Sequence, residues 1–306
     1  MASLPRSDTA GSGLALPLAA LILGAWAMGM SPIFVRLASP EVGPFASAFW
    51  RVALALPLLY GWMRIEDRTG SGRRGPIRPA ALLAGAAFAG DLLFWHLSIM
   101  ATSVANATFF ATTAPVFVVL ATWLVLRRRV SGATLGGLAL CLAGGAALVF
   151  ESLAVDPGRL RGDLYGVVTA TFFAMYLLAM ARAREGEGAA RVTFWSSVVT
   201  AAILLVAAVL FDRDVFWAQR AETWAALAGL ALVSQAGGQG LLAVALGRLP
   251  AVFSSLVIFL EAVFAAAAGW IVLGEPLSLV QYGGGALILL GIVLARPKRP
   301  TEGEAP

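Results

Sequence analysis

The chain has 306 residues, of which 59% are hydrophobic and only 13% are charged, and its mean hydropathy is +0.84. A soluble domain of this length carries about 25% charged residues, so we expect most of this chain to face a lipid bilayer rather than water. The net charge of +5 would suggest nucleic acid in a soluble protein. Here the basic residues lie in short loops between apolar segments, and we predict no nucleic-acid partner.

Five apolar segments in the first half predict membrane-spanning helices, because each is close to the length of about 20 residues that a bilayer requires. Their predicted ranges are 14–37, 43–63, 79–101, 104–126 and 132–150. Pro32 should bend the first helix, and a bend frees backbone N–H groups that could bind a carboxylate. The third and fourth helices should meet at a very short turn near Thr102 and Ser103.

The second half repeats this pattern after a linker of about a dozen residues. Its predicted helices are 163–183, 192–211, 222–246, 251–273 and 279–295. A shift of 147 residues places Trp123 on Trp270 and Gly144 on Gly291 without a gap. The chain is therefore predicted to contain two copies of one unit. These are residues 14–150 and 163–295, flanked by polar cytoplasmic tails at 1–13 and 296–306.

The distribution of basic residues predicts the orientation of the chain. With the N-terminus in the cytoplasm, 16 of the 22 basic residues fall on the cytoplasmic side and 4 on the outer side. The remaining two, Arg36 and Arg51, are expected within or at the outer ends of the first two helices. Such an asymmetry predicts that both termini are cytoplasmic. Since five helices is an odd number, the second unit is inserted inverted relative to the first.

The predicted fold class is thus an all-α integral membrane protein with ten transmembrane helices in two inverted five-helix repeats. The predicted location is the inner (cytoplasmic) membrane of a bacterium, with the lipid bilayer as partner. The glycine-rich faces of the fifth and tenth helices predict close helix packing, or alternatively the seam of a homodimer.

This arrangement resembles the drug/metabolite transporter superfamily, and within it the ten-helix EamA-type carriers. The most specific similarity lies at the end of each unit, in APVFVVLATWLVL at 114–126 and EAVFAAAAGWIVLGEPLS at 261–278. The corner at 274–276 matches the family's short turn, whereas the first half has three arginines at the corresponding position, 127–129. The aromatic-rich third helix, with Asp91, Trp95 and His96, resembles the YddG-type amino-acid exporters.

Inverted repeats place a substrate site near the middle of the bilayer, so the midpoint of each helix supplies candidate residues. The candidates for substrate binding are Trp26, Met30, Asp91, Trp95, His96, Asn106, Thr108, Phe172, Tyr176, Gln235, Gln239, Ser254 and Glu261. Thr112 and Phe173 lie at similar depth. Aromatic faces mixed with acids and amides suit an amphipathic solute such as an amino acid, whose ammonium group could meet an acid and a π face.

Each candidate also has a purely structural interpretation. Asp91 and Glu261 could pair with neighbouring helices, and His96 could be a hydrogen-bonded core histidine. The aromatic side chains could simply pack, and the glutamines could join helices. A carboxylate in the middle of an apolar span is nevertheless expensive, which favours a functional interpretation of Asp91.

The predicted function is export of neutral aromatic or hydrophobic amino acids by alternating access, with the direction implied by the resemblance alone. The alternative is efflux of drugs or other small metabolites. Nucleotide sugars are disfavoured because no cluster of basic residues is predicted inside the helices. A structural membrane scaffold leaves the acids unexplained.

Enzyme interpretations find little support in the sequence. The chain lacks a nucleophile elbow and a phosphate-binding loop, and one histidine with one cysteine cannot form a usual zinc site. We therefore predict no catalytic residues, no cofactor and no metal. A membrane hydrolase using Asp91 and Glu261 is the remaining enzymatic alternative.

Overall fold

The structure is a computed structural model that describes residues 12–70, 76–102, 104–150, 160–273 and 277–296. These residues form helices, turns and short irregular loops, and none of them lies in a β-strand. Nine helical segments among them are long and apolar enough to cross a membrane, and a shorter apolar helix, Leu279–Leu294, follows. Ser103, the linker at 151–159, the corner at 274–276 and the tails at 1–11 and 297–306 lie outside the described residues.

Several helices of the first half begin at or next to a proline, although Pro17 and Pro40 lie inside helices. They are α1 (Ser12–Gly29), α2 (Ser31–Val42), α3 (Pro44–Ala53), α4 (Leu56–Thr69), α5 (Pro79–Ala101), α6 (Val104–Thr112), α7 (Ala114–Leu124) and α8 (Gly132–Val149). Pro32, Pro57 and Pro115 lie in the first turns of α2, α4 and α7. Proline is tolerated there because first-turn N–H groups have no partner within the helix. The predicted bend at Pro32 is thus a break between α1 and α2.

The helices of the second half include a segment that the sequence did not predict. They are α9 (Leu160–Arg184), α10 (Ala189–Phe211), α11 (Ala221–Gly229), α12 (Gly240–Leu246), α13 (Ala251–Val257), α14 (Leu260–Leu273) and α15 (Leu279–Leu294). Residues Leu230–Gln239, between α11 and α12, form a π-helix. The predicted helix at 222–246 is therefore not uniform, and π-helical turns are frequent at functional sites.

Glycine brings α8 and α15 into backbone contact. A Cβ atom on Gly144 would lie 2.5 Å from the carbonyl oxygen of Gly284, and one on Gly137 would lie 2.5 Å from that of Gly291. Small residues allow such close approach between membrane helices. These glycines are therefore used for packing within the chain.

Two carboxylates connect α10 to helices of the first half, one at each end of α10. Asp212, just after α10, accepts the backbone N–H groups of Phe45 at 2.6 Å and Ala46 at 2.8 Å, in the first turn of α3. Glu66, near the end of α4, accepts two backbone N–H groups in the first turn of α10, at 3.0 and 3.2 Å. Since the start of a helix carries unpaired N–H groups and partial positive charge, both contacts stabilise the pair.

Most of the buried apolar residues form one large core beside a second, small cluster, and much of the outer surface is apolar as well. Leu21, Phe88, Leu177 and Phe259 all belong to this core, which includes residues from both halves of the chain. Large apolar side chains such as Leu210 and Ile271 are exposed on the outside. A surface of this kind is suited to lipid, because water would make so large an exposed apolar area unfavourable.

Candidate functional site

A cavity lies beside the break between α1 and α2, and the empty space inside it, together with the part that is open to the surroundings, is about 540 Å³. Its wall consists of Met28, Gly29, Ser31 and Pro32 at the break, Arg51 on α3, Phe88, Asp91, Leu92 and Trp95 on α5, Thr108, Ala111 and Thr112 on α6, Phe173 on α9, Gln239, Ile258 and Glu261. Both halves of the chain contribute to this wall.

Arg51 is the basic residue of the cavity wall, and only 3% of its surface is exposed. Its Nε donates a hydrogen bond to Gln235 Oε1 at 3.3 Å. The guanidinium carbon lies 5.7 Å from the ring centroid of Trp95 and 5.9 Å from that of Phe88. Aromatic faces at this distance stabilise the cation and restrict its orientation.

Two acids share the cavity with this arginine. Asp91 on α5 and Glu261 on α14 both line the wall and interact electrostatically with Arg51. Neither forms an ion pair with it at 4.0 Å or less. Within the described ranges, Glu261 Oε1 is buried without a hydrogen-bond partner. The cavity therefore presents one basic and two acidic side chains that make no direct ion pair with each other.

Gln239 supplies an amide to the same wall and is held by residues behind it. The hydroxyl of Tyr176 donates to Gln239 Oε1 at 2.9 Å, and Gln239 Nε2 lies 3.2 Å from the sulfur of Met28. The ring of Tyr176 packs against those of Phe88 and Phe173, with centroids 4.7 and 5.8 Å away. These contacts fix the amide on the cavity wall.

Several residues that were predicted from the sequence to bind substrate lie together at this cavity. Of the thirteen candidates, those on the wall are Asp91, Trp95, Thr108, Gln239 and Glu261. Thr112 and Phe173, at similar predicted depth, also line it. Tyr176 and Gln235 lie directly behind the wall, in hydrogen-bond contact with Gln239 and Arg51. Met30 lies in the break between α1 and α2 but is not part of the wall.

Three candidates are buried away from the cavity. His96 is fully buried, and its Nδ1 lies 2.8 Å from the carbonyl oxygen of Leu92, one turn earlier. The side-chain amide of Asn106 donates to Asp163 at 3.2 Å. Ser254 is fully buried and does not reach the wall. For His96, the structure shows the structural hydrogen bond that was the alternative interpretation.

Two aromatic candidates, Trp26 and Phe172, are not part of the cavity wall. The side chain of Trp26 is 48% exposed. Phe172 stacks on Phe94, with ring centroids 5.8 Å apart, and its neighbour Phe173 is on the wall instead. The midpoint of a predicted span indicates a position along the helix but not which face of the helix meets the cavity.

Arg51 is the residue that the sequence interpretation missed. It was expected at the outer end of its helix, whereas it is buried and lines the cavity. A signal was present, because the midpoint of the predicted helix at 43–63 is residue 53, only two positions away. An ionisable side chain at that depth usually marks a functional site.

Two segments of the chain, residues 15–150 and 160–296, match the EamA-like transporter family. The chain belongs to the EamA-like transporter family. It is 27% identical over 280 residues to an uncharacterized transporter of Archaeoglobus fulgidus, covering 90% of this chain and 95% of that one. It is 25% identical over 287 residues to the uncharacterized transporter YcxC of Bacillus subtilis, covering 90% of each chain.

The fold of this EamA-like transporter is also similar to that of a solved crystal structure. The TM-score is 0.74 at 18% sequence identity, and the match covers 90% of this chain and 98% of the other. The family and the apolar helices together identify a multi-pass membrane protein with a transport role. Within the described ranges, no cluster of three or more His, Cys, Asp or Glu side chains could hold a metal ion.

Proposed function

We propose that this EamA-like transporter exports neutral aromatic or hydrophobic amino acids through the cavity by alternating access. The observation that carries the proposal is that Arg51, Asp91 and Glu261 line one cavity together with aromatic rings. A neutral amino acid presents a carboxylate, an ammonium group and an apolar side chain. The arginine suits the first group, the acids suit the second, and the rings of Phe88 and Trp95 suit the third.

The proposed architecture is ten membrane-spanning segments in two inverted repeats, 14–150 and 163–295. The breaks at Thr113 in the first half and at 258–259 in the second fall at nearly corresponding positions of the 147-residue shift. The same shift converts the contact between Gly137 and Gly291 into the contact between Gly284 and Gly144. Such internal symmetry is common in carriers that alternate between two access states.

The orientation and location are part of the same proposal. Cytoplasmic termini in the inner membrane of a bacterium follow from the loop arginines. The export direction rests on the resemblance to the YddG-type exporters, because a carrier runs in either direction with the gradient. A homodimer would need a surface other than the paired glycine faces of α8 and α15, which contact each other.

Efflux of cationic amphipathic drugs is the second candidate function. Asp91 and Glu261 beside aromatic rings would also attract such cations. Arg51 opposes this alternative, because a buried positive charge on the wall repels a cation. Multiply anionic solutes are disfavoured in turn, since two acids accompany the single arginine on the wall.

Transport by the purified protein in liposomes tests the proposal. We expect uptake of labelled neutral aromatic and branched amino acids above the level of empty liposomes, and competition between members of that panel. Uptake of cationic drugs without uptake of any neutral amino acid would replace the exporter proposal with the drug-efflux alternative. Cells that overproduce the protein should also tolerate toxic aromatic amino-acid analogues better.

A further inference from the structure

We infer that Arg51 is the receptor for the carboxylate group of the substrate and that Gln235 is the residue that positions it. The inference rests on the proposed amino-acid function and assigns the two ends of the substrate within the cavity. Neither residue was expected to have this role from the sequence.

Arg51 is a buried cation that forms no ion pair with the described residues. It is 3% exposed, and among the described residues no carboxylate lies within 4.0 Å of its guanidinium nitrogens. Buried charges are normally paired, because leaving water costs several kcal/mol that only a partner offsets. Since Arg51 faces a cavity, an anionic ligand is the partner that the site lacks.

Part of the guanidinium group of Arg51 remains available for a ligand. Nε is engaged by Gln235, and the rings of Phe88 and Trp95 lie beside the group. The two terminal amino groups of Arg51 make no hydrogen bond to the described residues, and they are not fully buried. They therefore reach the cavity, where a planar fork of N–H groups can bind a carboxylate through two hydrogen bonds.

Gln235 positions the guanidinium group of Arg51. Its Oε1 accepts from Arg51 Nε at 3.3 Å, and its Nε2 donates to Ser197 Oγ at 3.4 Å. Gln235 is 1% exposed and does not line the cavity, so it acts through Arg51. Because the N–H group of Arg51 Nε can only donate, the oxygen of the amide faces the guanidinium group, and Ser197 holds the nitrogen at the other side. The π-helix Leu230–Gln239 carries this side chain.

The start of α2 also suits the carboxylate end of the substrate. Ser31 and Pro32, in the first turn of α2, line the same cavity, and the start of a helix carries partial positive charge that favours an anion. Asp91 and Glu261, on the same wall, remain for the ammonium group at the opposite end of the substrate. This arrangement predicts that a ligand without a carboxylate loses one of two anchoring contacts.

Three probes separate these contacts in the purified full-length protein. They are L-tryptophan, tryptamine, which lacks the carboxylate, and indole-3-propionate, which lacks the ammonium group. Affinity is measured from the ligand-induced shift in melting temperature. In Arg51→Gln we expect affinity for both carboxylate probes to fall about ten- to hundred-fold, as for loss of charge-assisted hydrogen bonds, while affinity for tryptamine does not fall. Arg36→Gln, at an exposed helical arginine, is the matched control and should change none of them.

Gln235 is tested by the ratio of the affinities for tryptophan and tryptamine, which a loss of packing alone would not change. Gln235→Glu keeps the shape but gives Arg51 an internal carboxylate partner, so we expect the ratio to fall as in Arg51→Gln. Gln235→Leu should lower the ratio less. Arg51→Lys, which keeps the charge without the fork, should give an intermediate ratio and replaces Arg51→Gln if that variant does not fold.

The inference is overturned if Arg51→Gln or Arg51→Lys weakens tryptophan and tryptamine equally or changes neither, or if the wild type binds neither carboxylate probe. Its failure differs from failure of the proposed function. If liposomes move no amino acid but indole-3-propionate stabilises the wild type and not Arg51→Gln, the exporter proposal fails and the carboxylate receptor stands. If amino acids are moved equally well by the wild type and Arg51→Gln, only the receptor assignment fails.

Discussion

The thiol of Cys141 donates to the carbonyl oxygen of Ile288 at 3.6 Å, and these two residues are 147 positions apart. The same shift superimposes the two halves of the sequence. A residue can contact its own repeat equivalent only close to a local two-fold axis. The contact between α8 and α15 is therefore where the axis of the proposed inverted repeat should pass.

Packing at this contact predicts that Gly144→Val destabilises the protein. The added Cβ would lie 2.5 Å from the carbonyl oxygen of Gly284, so one of the two helices must shift. We expect a loss of about 1–3 kcal/mol in the free energy of unfolding, as for overpacked cores. The measurement is the melting temperature of the purified protein in detergent.

The matched control is Gly283→Ala, one position before Gly284 on α15. A Cβ atom there meets nothing within 4 Å. Alanine in a helix interior is favoured over glycine by roughly 0.5–1 kcal/mol, so this variant should be as stable as the wild type or slightly more stable. Equal destabilisation by both variants would contradict the assigned packing.

The contact of Asp212 with the start of α3 predicts a pH-dependent stability. Burial raises the pKa of the Asp212 carboxyl above its ordinary value, and the N–H groups of Ala46 and Phe45 only partly oppose this. The folded state then holds a proton that the unfolded state releases near pH 4. The contribution of this group is therefore present below about pH 4 and is lost as pH rises through the raised value.

We expect Asp212→Asn to remove this part of the pH dependence, because the asparagine oxygen still accepts the two N–H groups but carries no charge. Relative to the wild type, its melting temperature should rise as pH increases. Asp212→Ala leaves both groups without their acceptor and should lose about 0.5–2 kcal/mol, as for other lost helix caps. A parallel pH dependence in the wild type and Asp212→Asn would refute the assignment.

Aromatic lining predicts different effects for two tryptophans. Trp95 lines the cavity beside the guanidinium group of Arg51, whereas Trp123 is 61% exposed on the outer surface. We expect Trp95→Ala to raise the KM for aromatic amino acids in liposomes, or to lower the tolerance of cells to their analogues. Trp123→Ala should do neither to a comparable extent, and the reverse order would place the aromatic site elsewhere.

Charged groups on the cavity wall predict which residues control the pH profile of transport. Asp91 and Glu261 face the cavity, so we expect Asp91→Asn or Glu261→Gln to flatten the profile. His96 is fully buried beside the carbonyl group of Leu92 and is not on the wall, so His96→Gln should leave the profile unchanged. The measurement is uptake rate against pH in matched liposomes, and a profile altered by His96→Gln alone would reverse this assignment.

Orientation in the membrane is tested by reporter fusions. Fusions after Arg78, Arg129 and Arg191 should report a cytoplasmic location, and fusions near Pro157 and Asp214 an external one. The expectation follows from the excess of arginine in the loops assigned to the cytoplasm. An external location at Arg129 would be incompatible with ten spans in two inverted repeats.

The sequence alone determined where several of the apolar helical segments lie along the chain. The helix predicted at 79–101 is α5, Pro79–Ala101, and the proline at 32 marks a break between two helices. These features are local, because the length of an apolar run is set by the bilayer and proline lacks an N–H group wherever it stands.

Only the tertiary structure decided which side of each helix meets the cavity. A helix in lipid is apolar on most of its surface, so its sequence shows little difference between the inward and outward faces. Trp26 and Arg51 both lie near the middle of a predicted helix, 14–37 and 43–63, yet the side chain of Trp26 is exposed and that of Arg51 lines the cavity. Some of the contacts that determine which face of a helix points inward join residues more than 150 positions apart in the sequence. Examples are the contacts of Asp212 with Phe45 and of Arg51 with Gln235. No local pattern records such pairs, and they form only when the helices pack.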